Sequence, residues 1–138
     1  MNIKRLIIGC VIGTLALQLL GMLIFQNIFA ELFEAQSGSA IGVDRDTPIL
    51  WAVIVGNLFY AMLLILALES RSASKSLIDG LKIGAVVGAL LWGTADFILF
   101  GVTNISTLAG AVADTILEGV RGGIAGGVIA AVLSKVGD

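Results

Sequence analysis

Gly93-Thr94-Ala95-Asp96-Phe97-Ile98-Leu99-Phe100-Gly101-Val102-Thr103-Asn104-Ile105-Ser106-Thr107-Leu108-Ala109-Gly110-Ala111-Val112-Ala113-Asp114-Thr115-Ile116-Leu117-Glu118-Gly119-Val120-Arg121 decides the fold. It reads as two apolar helices joined by a tight turn, Thr103 to Thr107. Three acids and one arginine interrupt segments that are otherwise lipid-soluble. Asp96 lies nine residues before Ile105 and Asp114 nine after it. At ~1.5 Å rise per residue, both fall roughly 13 Å below the turn. A charged side chain near a bilayer centre costs about 2.5–3.5 kcal/mol on insertion scales. These residues therefore need partners, a wet cavity or a function.

The rest of the chain has the same character. Of 138 residues, 58% are hydrophobic and 13% charged, against about 45–50% and 25% in soluble domains. Apolar runs centre on residues 5–30, 48–68, 80–102 and 106–133, each at or above the ~20 residues that cross a bilayer. The expected fold is all-α, an up-down-up-down bundle of four transmembrane helices in one domain over residues 1–138. A signal peptide is the competing reading of the first run. That run exceeds a typical apolar signal core, and no clear A-x-A site follows it. Lipidation at Cys10 fits poorly, because only about four apolar residues precede it, against the ~7–15 expected.

Composition also removes chemistries. Histidine is absent and Cys10 is the single cysteine. Histidine- and thiolate-based metal sites and Ser-His or Cys-His nucleophile pairs are excluded within one chain. No cofactor is implied. The net charge of −2, with no basic patch, gives no sign of a nucleic-acid partner.

Lys4, Arg5, Arg71, Lys75, Lys82 and Lys135 flank the spans on one side. Arg45 stands alone among four acids in the 31–47 loop, and the third loop has no cation. The positive-inside rule then predicts a cytoplasmic location for both termini and the second loop. Asp46-Thr47-Pro48 reads as a helix start, with Asp46 or Thr47 as the cap. Residues 69–79 read as a polar connector.

Glycine forms rows. Gly9 and Gly13 share a side of the first span. Gly80, Gly84 and Gly88 share a side of the third. Gly119, Gly123 and Gly127 run along the fourth, with Gly122 and Gly126 beside them. Small residues every four positions let membrane helices approach closely. The fourth span has more small surface than one neighbour needs, so a homodimer or larger membrane complex through it is an expected partner arrangement, besides the lipid bilayer.

Asp114, Glu118 and Arg121 make one stripe at i, i+4 and i+7. Asp96 shares a stripe with Gly88 and Trp92. Asn57 and Tyr60 share a face of the second span, and Thr14 and Gln18 a face of the first. Lipid satisfies none of these groups, so the economical arrangement turns all four patches inward. Glu118 and Arg121 then pair along their helix, leaving Asp96 and Asp114 facing each other across the hairpin. Two carboxylates in one dry site resist ionising together. This predicts a pair that shares a proton or gives it up to a cation, with Gln18, Asn57, Tyr60, Trp92 and Asn104 lining the cavity. Two other readings fit the same residues: a buried network that only fixes helix register, and a three-carboxylate cation site in which Arg121 sits awkwardly close.

Ile83-Gly84-Ala85-Val86-Val87-Gly88, Asp96, Thr103-Asn104, Leu108 and Asp114, together with Val55-Gly56-Asn57-Leu58, resemble a family of small four-span bacterial membrane proteins classed as a domain of unknown function. The resemblance covers the second half and the second span. It implies a four-helix inner-membrane fold, supplies no activity, and implies that Asp96, Asn104 and Asp114 belong together. Small multidrug transporters fit less well, since they carry a glutamate in the first helix where this chain has Gln18. Dual-topology fluoride channels fit less well too, because Asp96-Phe97-Ile98-Leu99-Phe100 lacks their Thr- and Phe-rich break. Two function classes follow. One is a small transporter or ion-coupled membrane protein handling a small molecule or ion. The other is a non-catalytic membrane subunit packing through its glycine faces. An intramembrane enzyme has least support.

Overall fold

Four helices long and apolar enough to cross a membrane carry the architecture. The computed structural model describes residues 2–70 and 76–136; Arg71 and Lys75 of the charge pattern lie outside them. The protein is all-α, with no strand among the described residues. Helix α1 spans Ile3–Leu23 and runs on through a π-helical turn, Ile24–Ile28, to the short α2, Ala30–Ala35. Helices α3 (Leu50–Glu69), α4 (Leu77–Val102) and α5 (Leu108–Leu133) follow, each antiparallel to the span before it. It is a multi-pass membrane protein.

The helix starts differ from the sequence reading for local reasons. The α4 helix begins at Leu77, because Ser76 and Asp79 form a reciprocal capping box and draw part of the connector into the helix. Thr107 caps α5 by accepting from the Gly110 amide at 3.1 Å. Helix α3 begins only at Leu50, with Ile49 at the cap and no side-chain cap, so neither Asp46 nor Thr47 plays the expected capping role. Proline disfavours helical geometry in the residue before it, which leaves Thr47 in the loop.

The continuous first helix is also revised. Near Leu23 its hydrogen bonding widens by one residue, and the Phe29 amide reaches the Ile24 carbonyl at 2.9 Å. The Asn27 side chain donates to the Met22 carbonyl at 2.7 Å, satisfying an acceptor near the irregular turn. Phe29 then breaks the helix (φ −113°, ψ 16°).

Helix α5 is central and packs on α1, α3 and α4. Its seam with α4 is the most extensive in the molecule. Gly84 lies so close to Gly122 that a Cβ on either would strike the other's carbonyl oxygen. Gly119, Gly123 and Gly127 meet Ala85, Ala89 and Leu81 of the same helix. Both glycine rows of α5 are thus occupied within the chain.

The apolar core of Leu17, Leu64, Ile65, Ile129 and Leu133 fills the half of the bundle nearer the termini. Arg5 closes that end. Its guanidinium donates to the Leu133 and Val136 carbonyls at 2.9 and 2.6 Å and to Glu69 at 3.1 Å. A cation at a helix C-terminus also meets the negative end of the helix dipole.

Candidate functional site

The other half of the bundle is hollow. A cavity of about 650 Å³ lies between α1, α3, α4 and α5, beneath the first and third loops. Its floor is a polar cluster built on Arg121, which is 6% exposed, and Glu118, which is 3% exposed. Arg121 Nη1 donates to Glu118 Oε1 at 2.7 Å. Nη2 donates to Asn57 Oδ1 at 2.7 Å, and Nε and Nη2 both donate to the Leu17 carbonyl at 3.1 and 2.9 Å. Asn57 in turn donates to Gln18 Oε1 at 2.7 Å. The guanidinium lies 5.9 Å from the Phe25 ring centroid and 5.8 Å from that of Tyr60, within the range of attraction between a cation and an aromatic face. One arginine therefore ties α1, α3 and α5 together.

The approach depends on Gly21, where a Cβ would lie 3.0 Å from Arg121 Nη2. Phe25 reaches the same guanidinium from the π-helical turn. Tyr60 lies under the floor rather than in the cavity wall. Its hydroxyl donates to the Glu118 carbonyl at 3.4 Å and sits between Gly88 and Gly122.

Above the floor, Asp96 from α4 and Asp114 from α5 line the same cavity. Asp96 Oδ2, Glu118 Oε2 and Trp92 Nε1 are buried and have no hydrogen-bond partner. All three residues belong to the cavity wall, but these three atoms themselves have almost no surface open to it. Among the described residues, no three Asp, Glu or Cys side chains converge on a point that would hold a metal ion.

The first loop folds over part of the mouth. Gly38 and Ala40 donate backbone hydrogen bonds to the carbonyls of Ile105 and Asn104 at 2.8 and 3.0 Å. Thr107 Oγ1 donates to Gln36 Oε1 at 2.6 Å, and its amide to the Gln36 carbonyl at 3.0 Å. The Phe25 and Phe33 rings pack 5.2 Å apart and hold α2 against the end of α1.

Of the sequence-derived residues, Gln18, Asn57, Trp92, Asp96, Asp114, Glu118 and Arg121 share this cavity. Asn104 does not. It is exposed at the turn, where its main-chain carbonyl serves the loop contact, so its link to the two aspartates is not one of proximity in the wall. Gly84, Gly88, Gly119, Gly123 and Gly127 belong to the α4–α5 seam. Sequence reasoning missed Gly21 and Phe25, although both follow Gln18 at helical spacing (i+3 and i+7). It also missed Gln36 and Asp44 of the loop, which line the mouth and carry no periodic signal. Comparison with known proteins finds no matching family model, no matching curated relative and no matching solved structure.

Proposed function

We propose that this is a small ion- or proton-coupled membrane transport protein in which Asp96 and Asp114 handle the proton or cation. Arg121 is the fixed counter-charge of the floor. One observation carries the reading: Glu118 is matched by Arg121, whereas Asp96 and Asp114 line the same cavity with no salt bridge among the described residues. Intramembrane acids face protein or water-filled cavities and mark ion and substrate paths. Two carboxyl groups can hydrogen-bond each other only when one is protonated, because the carboxylate form only accepts. In this reading the pair holds one proton when the cavity is otherwise empty and yields it to an incoming cation.

The resemblance to small four-span bacterial proteins supports an inner-membrane location. Exposed Lys4, Lys82 and Lys135 support cytoplasmic termini, with the mouth then opening to the outside. A purely structural subunit would carry no pH-dependent flux in liposomes, whatever the protonation of its buried aspartates. Infrared difference spectra of the reconstituted protein test the shared proton. The expected result is a protonated carboxyl band at neutral pH that the D96N/D114N variant lacks. Ordinary carboxylates are ionised by about pH 5, so a wild-type spectrum with both aspartates already ionised there would sink the proposal.

A further inference from the structure

We infer that the cavity takes a small organic monocation, a protonated amine whose ammonium group sits between Asp96 and Asp114. The inference rests on the reading of those two residues as the cation-handling pair and narrows it to a substrate class.

Charge excludes the opposite sign. The acids facing the space are Asp96 on α4, Asp114 and Glu118 on α5, and Asp44 from the loop. Helices α1 and α3 contribute the neutral Gln18 and Asn57, with Tyr60 beneath the floor. The one cation in the wall is Arg121, already engaged with Glu118, Asn57 and the Leu17 carbonyl. An anion would meet carboxyl groups and no unengaged cation.

Size and lining exclude a bare ion as the best fit. Pockets of about 300–1,000 Å³ suit small organic molecules, and this one is about 650 Å³. Its wall carries Phe25, Phe33 and Trp92, surfaces that attract an ammonium group and pack a hydrocarbon body.

An ammonium group offers three N–H donors and no acceptor, which suits a wall that presents the carboxyl groups of Asp96 and Asp114. The exchange balances: the ammonium enters with one positive charge, one proton leaves the aspartate pair, and the charge inside the cavity is unchanged.

The full chain in lipid nanodiscs carries the test. Trp51→Phe removes the lipid-facing tryptophan, which is 71% exposed, and leaves Trp92 as the sole reporter. Tyramine and ethanolamine are titrated beside 4-ethylphenol, which keeps tyramine's ring but lacks its ammonium, and 4-hydroxyphenylacetate, which reverses the charge. At least one amine is expected to change Trp92 fluorescence saturably and release about one proton per molecule bound into weak buffer. The two ammonium-free compounds are expected to bind at least about tenfold more weakly, as are both amines to D96N and D114N. The ligand comparison leaves the aspartates intact, so it stands even if those variants fail to fold. Equal affinity for tyramine and 4-ethylphenol, or no saturable response to either amine, overturns the inference. A normal protonated-carboxyl band together with either of those results sinks the substrate class alone. Loss of the band as well sinks the pair reading beneath it.

Discussion

Arg121 shows how one side chain earns its position inside a membrane. Its charge is offset by Glu118 on the next turn, its N–H groups find Asn57 and the Leu17 carbonyl, and two aromatic rings flank its plane. Removing one partner of a buried ion pair costs about 3–5 kcal/mol, because the other charge is stranded. Arg121→Ala should therefore be the most damaging single substitution in the floor. Glu118→Gln leaves an uncharged amide near the guanidinium and keeps the other contacts, so its loss should be smaller. Arg121→Lys keeps the charge but not the planar fork that reaches three elements at once, and should fall between the two. Thermal unfolding of the purified variants in one detergent checks the order. An Arg121→Ala protein that melts with the wild type would show that the cluster contributes little to stability.

At the scale of elements, the α4–α5 hairpin is the tightest unit. Membrane helices lack a water-driven force between them and associate through close packing of small residues. Gly84→Ala inserts a methyl group against the Gly122 carbonyl; overpacking of this kind costs about 1–3 kcal/mol. Gly56 and Gly101 supply the contrast, since a Cβ at either meets nothing within 4 Å. Replacing a helical glycine by alanine with no clash gains about 0.5–1 kcal/mol. Gly56→Ala and Gly101→Ala should match or exceed wild-type stability while Gly84→Ala falls below it. If all three melt alike, the seam is looser than its geometry. The rows themselves were legible at i, i+4 spacing. Which row met which helix was not, because that depends on the rotation of α5 about its axis.

For the whole molecule, the apolar core and the Arg5 clamp occupy one end, and the cavity under its loop the other. This separation makes orientation measurable. With Cys10 replaced by alanine, Ile41→Cys in the first loop and Ser134→Cys after α5 should react with an impermeant maleimide from opposite sides of the membrane. Labelling of both from one side would contradict the four-span arrangement. The loop also governs access. Gln36→Ala removes the acceptor of Thr107 Oγ1 and leaves the backbone contacts in place. Its expected effect is stronger quenching of Trp92 by aqueous acrylamide in the Trp51→Phe background. Unchanged quenching would mean that the backbone bridges alone hold the loop over the mouth.

The amino-acid sequence by itself determined the four spans, the acid–arginine stripe on α5 and the pairing of Glu118 with Arg121. Each follows from helical periodicity and the cost of placing charge in lipid, both of which are local. Tertiary structure alone decided that Arg121 would use the Leu17 carbonyl, since a backbone acceptor has no signature in sequence. It also decided that Ile24–Ile28 would open into a π-helical turn, that both glycine rows of α5 would be taken by α4, and that residues 36–40 would fold back over the cavity while Asn104 stayed at its outer turn. These outcomes depend on how each helix is rotated and how far it slides past its neighbours. Many side chains settle that together, and no short stretch of the chain records it.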